Sequence, residues 1–292
     1  MKKLSTTLIF GLSCFMAGAV TQWLLPVFSN ELNIDCEETT IPEDSLPSDS
    51  GNFPQQEQTI NKNSQDEKIK AYARSITVKV FSGDNSGSGV LIKRENNVYQ
   101  VVTNDHVLIF GRQNQSYKIK TPNGKVYPAE VVKLNFGRYD LGVLQFVSEE
   151  DYKIASLSSI KIPEIGEKVY AVGFPYEADS SVDDGFVFTT GKVDMISDLS
   201  FRGGYRIGYS NDVEKGMSGG ALLNEEMQVI GLNGRHKYPL WGNPYIFEDG
   251  TVASVEKKEE MSKSSWAIPI QTFLNFAPEF ISEKNTNISE FN

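Results

Sequence analysis

The pentapeptide Gly216-Met217-Ser218-Gly219-Gly220 sets one serine hydroxyl among glycines. A serine hydroxyl is a weak nucleophile. It attacks a carbonyl only with a base in hydrogen-bond reach and with donors aimed at the oxyanion that forms. Glycine at 216 lets the backbone take an unusual conformation and turn its N–H toward that charge, and the Ser218 N–H completes an oxyanion hole. Read more plainly, the same five residues are a glycine-rich turn between strands.

A base is available. In Val101-Val102-Thr103-Asn104-Asp105-His106-Val107-Leu108 an apolar strand runs into a turn that presents His106. A lone histidine is often a satisfied structural side chain, but strand-to-turn context favours the base role here. The other histidine, His236, falls in the polar run Asn233-Gly234-Arg235-His236-Lys237-Tyr238 and reads as a rim or surface residue. In Arg138-Tyr139-Asp140-Leu141-Gly142-Val143-Leu144, Asp140 heads an apolar strand. An aspartate there can be buried and can fix an imidazole tautomer; alone it would read as a turn acid.

The elements that must position these groups read as strands. Ile76, Val78 and Val80 alternate with polar residues. Short apolar runs follow at 87–92, 98–102, 126–132 and 141–144, with turn signals at Glu95-Asn96-Asn97 and Pro122-Asn123-Gly124. A second series covers 168–173, 185–193, 205–209, 221–223, 229–232 and 265–268. Many short strands with regular turns predict an all-β protein of two barrels. A short C-terminal helix is expected over Ile270 to Phe276, ended by Pro278.

The order His, Asp, Ser is the chymotrypsin-type order. Gly87-Ser88-Gly89-Val90, Thr103-Asn104-Asp105-His106-Val107, Tyr139-Asp140-Leu141-Gly142-Val143-Leu144, Gly216-Met217-Ser218-Gly219-Gly220 and Trp266-Ala267-Ile268-Pro269 arrive in sequence. Together they resemble the signature segments of trypsin-like serine peptidases, most nearly the peptidase domain of the bacterial HtrA/Deg group. The resemblance covers roughly residues 70–276 and implies a chymotrypsin-like double six-stranded β-barrel. It implies His106 and Asp140 on the first barrel, with Ser218 and the specificity pocket on the second. The activity implied is serine endopeptidase, acting through an acyl-enzyme on protein or peptide substrates, with no cofactor or metal. Met217 departs from the pattern, since Asn or Asp is usual there. Activation by a new N-terminus pairing with that acid is therefore not expected. After residue 292 no length remains for a PDZ domain, so a peptidase domain without that module is expected.

For substrate binding, Ile230-Gly231-Leu232-Asn233-Gly234 is read as a strand offering its backbone to an extended chain, which nominates Leu232, Asn233 and Gly234. Asp212, six residues before Ser218, has two readings. It is a pocket-base acid selecting Lys or Arg, or a turn residue in Ser210-Asn211-Asp212. Val213 beside it would instead signal a small apolar preference.

Composition narrows the alternatives. The 292 residues carry a formal net charge of -10, which argues against nucleic acid as a partner. Two cysteines, Cys14 and Cys36, make no disulfide framework. Lys2-Lys3 followed by an apolar run to about Phe28 reads as a cleaved signal peptide, with Ala17-Gly18-Ala19 as the cleavage site, or as a retained membrane anchor. Both readings place the remainder outside the cytoplasm: periplasmic, secreted or membrane-anchored. Residues 29–67 are acidic and polar and read as a disordered tether. The peptidase domain is expected over 68–280, with a tail over 281–292 and a long loop over 237–263. Oligomeric state is open. Two other functions compete: a catalytically silent binding protein of the same fold, and an esterase of another fold. The esterase would need a nucleophile elbow and the order Ser, Asp, His.

Overall fold

The computed structural model describes residues 55–280 except 115, 160–161, 177–182 and 240–243, with side chains from Ser64 onward. The leader read over 1–28, both cysteines and the tail over 281–292 lie outside the described residues.

Strands β1 (Thr77–Ser82), β2 (Asn85–Glu95), β3 (Val98–Thr103), β4 (Tyr117–Lys120), β5 (Val126–Val131) and β6 (Gly142–Val147) close a barrel in the order β1-β2-β3-β6-β5-β4. The second set is β7 (Ser156–Leu157), β8 (Lys168–Gly173), β9 (Val187–Phe201), β10 (Tyr205–Tyr209), β11 (Ala221–Leu223), β12 (Gln228–Arg235) and β13 (Ser265–Pro269). Because β11 pairs with both β8 and β12, the ring β11-β8-β9-β10-β13-β12 closes as well, and β7 joins β12 in parallel. The expected double six-stranded barrel is present. Among the described residues four α-helices accompany it: α1 (Gln55–Ile76), α2 (Asp105–Leu108), α3 (Val255–Ser262) and α4 (Ile270–Phe276).

Side-chain alternation explains why the central strands read as unbroken apolar runs. On β2, β3 and β6, Leu91, Val101 and Leu144 fill the first barrel. One position along, Val90, Val102 and Val143 face outward and are equally buried, in a cluster shared with Tyr170, Val172, Leu232 and Ile268 of the second barrel. A strand buried on both faces has no polar side to show. On β8, Val169 and Ala171 enter the second barrel while Tyr170 and Val172 face the shared cluster. A one-residue slip would exchange these sets, so the register is strongly determined.

Three parts differ from the sequence reading. Helix α1 starts at Gln55, inside the stretch read as tether. Its first turns have no apolar period, but Gln, Glu and Lys are good helix formers. Its last turns dock through buried Ile69, Ala73 and Ile76 at helical spacing, and Asp66 accepts hydrogen bonds from Lys168 Nζ and Tyr170 Oη at 2.7 Å. Strand β4 buries Tyr117 and Ile119 between lysines, a pattern too short to stand out. Helix α3 lies within the segment read as a loop; Ser254 caps it by accepting from the Lys257 N–H, and Trp266 Nε1 donates to the Met261 carbonyl at 3.0 Å.

Ile69 is fully buried on α1, so Ile69→Ala should lose about 2–5 kcal/mol of stability by transfer and cavity cost. Urea denaturation at unchanged m-value reads this directly; a loss under 1 kcal/mol (about half the low end of that range) would show that the helix does not belong to the core.

Candidate active site

His106 sits on α2, one turn after β3 ends at Thr103. Asn104 and Asp140 hold this turn: Asn104 Nδ2 donates to the Asp140 carbonyl at 2.9 Å, and the His106 N–H donates to Asp140 Oδ1 at 2.8 Å. His106 Nδ1 lies 2.7 Å from Asp140 Oδ2. The Tyr205 hydroxyl, from β10, donates to the same oxygen. Burial pushes the Asp140 carboxyl up, but the hydrogen bond and charge of His106, the Tyr205 hydroxyl and the His106 amide together hold it below its usual range. An ionised carboxylate only accepts, so Nδ1–H is the donor of this pair.

Ser218 lies on the second barrel, in the turn before β11. The Ser88 N–H on β2 donates to the Ser218 carbonyl at 2.8 Å, and Ser88 Oγ donates to the Gly216 carbonyl at 2.9 Å. A Cβ on Gly219 would lie 2.3 Å from the Ser88 carbonyl oxygen and 3.1 Å from the Asn104 nitrogen. The serine turn is therefore packed on the residues that flank His106. Gly216 has φ +103, and a Cβ there would lie 2.6 Å from the Phe174 carbonyl oxygen. Only glycine meets both demands. Among the described residues, neither the Gly216 nor the Ser218 N–H donates to a backbone acceptor. Met217 is fully buried in the second barrel.

A cavity of about 470 Å³ opens between residues 212–215 and 236–238, with Tyr176 as its third side. Asp212 and Val213 both border it. The Asp212 side chain is 83% exposed and its carboxylate is 2.8 Å from Lys237 Nζ, which also donates to the Ser210 carbonyl. A pocket-base acid would be buried and without a cation. Asp212 is neither: it stands in solvent, paired with Lys237. Val213 is buried, and His236 is exposed on the rim.

Two of the nominated strand residues have fully buried side chains. Leu232 is fully buried in the shared cluster, paired with Ala221 on one side and Ile268 on the other. Asn233 is fully buried as well: Nδ2 donates to the Val172 and Ala221 carbonyls, Oδ1 accepts from the Tyr209 hydroxyl, and the backbone carbonyl accepts from the Gly219 N–H. It pins the serine turn rather than lining a pocket. With both edges of β12 paired up to Asn233, Ile230–Asn233 offers no open edge. Gly234 does reach a cavity, a smaller one of about 190 Å³ shared with Arg235 and His236. Ser88 and Tyr205 were not nominated at all. The glycines flanking Ser88 were the available signal; Tyr205 carried none beyond its strand.

A double barrel with an aspartate–histidine pair on one side of the junction and a serine turn on the other defines the class. The model of the trypsin-like peptidase domain matches residues 87–232, half of the chain, and the chain belongs to that family. It is 32% identical over 154 residues to the "Serine protease Do-like HtrA" of Bacillus subtilis, covering 51% of this chain and 33% of that protein. It is 30% identical to the "Probable periplasmic serine endoprotease DegP-like" of Buchnera aphidicola (54% and 32% covered) and 25% identical to the "Serine endoprotease DegS" of Escherichia coli K12 (50% and 39% covered). The match spans about a third of the length of these relatives.

The depressed Asp140 carboxyl links folding to pH. Its stabilisation is present above the unfolded value of 3.8 and is lost as pH falls below it toward the lower folded value. Acid unfolding of Asp140→Asn should therefore show a shallower loss of stability below that pH than the wild type. Parallel curves would mean that the carboxylate is not held in its ionised form by the fold.

Proposed function

We propose that the chain is a serine endopeptidase in which Ser218 is the nucleophile, His106 the general base and Asp140 its orienting partner. The observation that supports this is the seating of the serine turn on Ser88 of β2, whose carbonyl accepts from Thr103 at the end of the strand that leads to His106 and its partner Asp140. Ser218 Oγ attacks the scissile carbonyl carbon as its proton passes to His106 Nε2. The amides of Gly216 and Ser218 hold the oxyanion. Collapse of the tetrahedral intermediate breaks the C–N bond, and the imidazolium gives its proton to the leaving amine. Water, deprotonated by His106, then hydrolyses the acyl-enzyme. An extended segment of a flexible or unfolded protein is taken up beyond Asn233, along Gly234 to His236, where β12 no longer pairs with β11.

Ser218→Ala in the full-length chain should abolish covalent labelling by a fluorophosphonate and casein cleavage, and His106→Ala should cost about as much because the triad acts as a unit. His236→Ala should stay within about twofold, as expected of an exposed residue outside that unit. Near wild-type turnover by the alanine variant at 218 would remove the assignment.

The same reading places the domain outside the cytoplasm, supported by the Lys2-Lys3 plus apolar N-terminus and by the word periplasmic in the name of the Buchnera relative. Among the described residues no helix is long and apolar enough to cross a membrane, so the reading rests on the leader. An alkaline phosphatase reporter fused after residue 66 should be active only when exported; a cytoplasmically active green fluorescent fusion at the same point would contradict it.

A further inference from the structure

We propose that Tyr205 is the positioning residue of the triad, holding Asp140 from the opposite barrel and setting how strongly it binds the His106 proton; this rests on the triad reading above. Asp140 Oδ2 receives two donors, His106 Nδ1 at 2.7 Å and the Tyr205 hydroxyl, while Oδ1 receives the His106 amide. Tyr205 is fully buried in the shared cluster. Burial, with the charge and hydrogen bond of Asp140, pushes its hydroxyl well above the usual range, so it stays a neutral donor.

The ring is held in place from behind. The Arg235 guanidinium lies 4.2 Å from its centroid, and its nitrogens donate to the carbonyls of Pro244 and Arg202. Gly234 is required beside it: a Cβ there would come 2.3 Å from the Tyr205 hydroxyl oxygen. The backbone is held from the same side, since the Asp140 N–H donates to the Gly203 carbonyl at 2.9 Å, in the turn between β9 and β10. Both the side chain and the main chain of Asp140, a first-barrel residue, are thus gripped by the second. A phenylalanine would fill the same space. The hydroxyl is buried against a carboxylate that needs a donor, which gives it a purpose beyond packing.

The sign of its effect follows. A donor on Oδ2 draws charge from the carboxylate and weakens its hold on the His106 proton. Without it, the imidazolium is held more tightly and a higher pH is needed to release the base. The other charged or titratable groups around Asp140 are Asp105 and Arg112, paired with each other on the His106 side, and Arg235 with Tyr245 and Tyr209 behind Tyr205. Of these, only Arg235 also interacts with the Tyr205 hydroxyl, and its guanidinium stays anchored to the Pro244 and Arg202 carbonyls when the hydroxyl is removed.

The test is the pH dependence of fluorophosphonate labelling of Ser218 in the full-length chain. Tyr205→Phe should move the acid limb measurably upward, because Asp140 with one donor fewer holds the imidazolium more strongly. It should also lower the plateau rate roughly tenfold. Gly234→Ala, whose methyl displaces the same hydroxyl, should move the limb in the same direction, and it carries the test if the phenylalanine variant does not fold. A limb that superimposes on the wild type in either folded variant, whatever happens to the melting temperature, overturns the proposal. A wild-type chain that does not label overturns the triad reading and this inference with it, and so separates the two failures.

Discussion

The proposed site depends on one constraint: a serine turn and a histidine–aspartate pair carried by different barrels must stay in register. Ser88 is where that register is set. Its N–H donates to the Ser218 carbonyl and its Oγ donates to the Gly216 carbonyl while accepting from the Phe174 N–H; its own carbonyl accepts from Thr103 Oγ1. The residue is fully buried, and each of its polar groups is engaged. Each bond nets only about 1 kcal/mol, so these contacts are a minor part of the stability. That comes from the apolar cluster shared by the barrels. The bonds matter through geometry, because misplacing a catalytic group by about 1 Å can cost a hundredfold in rate.

Burial makes electrostatics the second constraint. A carboxylate removed from water is strongly unfavourable unless donors replace its hydration. Asp140 has three, from His106 twice and from Tyr205, and together they outweigh its desolvation. Asp212 shows the contrast. It is the same residue type near the same serine, yet it stands in solvent with Lys237 beside it. An exposed pair of this kind is worth little, and it leaves no unpaired charge to attract a substrate cation. Position in the fold, not proximity in sequence to Ser218, decides which aspartate can work.

Most of the barrel strands, and the three segments bearing His106, Asp140 and Ser218 that the fold brings to the barrel junction, were legible because their signals are local. Apolar runs mark strands buried on both faces, and Gly216 announces a backbone that no other residue adopts. What stayed hidden is non-local or polar. Tyr205 read as one more apolar position of a strand; its purpose comes from an aspartate on the other barrel, and no periodicity encodes that contact. Leu232 and Asn233 were nominated because a strand near the serine was taken to have an open edge. Closure of the second barrel pairs both edges and turns these side chains inward. The first turns of α1 and the whole of α3 are polar on most sides, so the pattern that reveals an amphipathic helix is weak in both.

Met217 shows what the departure from the family pattern does in this chain. The position before Ser218 carries no charge; the side chain is fully buried among Val169, Ala171, Val213 and Leu222 in the second barrel, and its sulfur accepts from the Glu214 N–H. An acid there would need an ionic partner to be buried. A methionine needs only a packed barrel. The serine turn is thus shaped by packing beneath it and by residues 174–176 beside it, where the Tyr176 N–H donates to the Lys215 carbonyl. Phe174 links this support to α1: the Arg74 guanidinium lies 5.3 Å from its ring centroid and 5.2 Å from that of Phe186. Since the Phe174 amide also binds Ser88, the helix that leads into the domain, the junction of the barrels and the serine turn form one continuous packed unit.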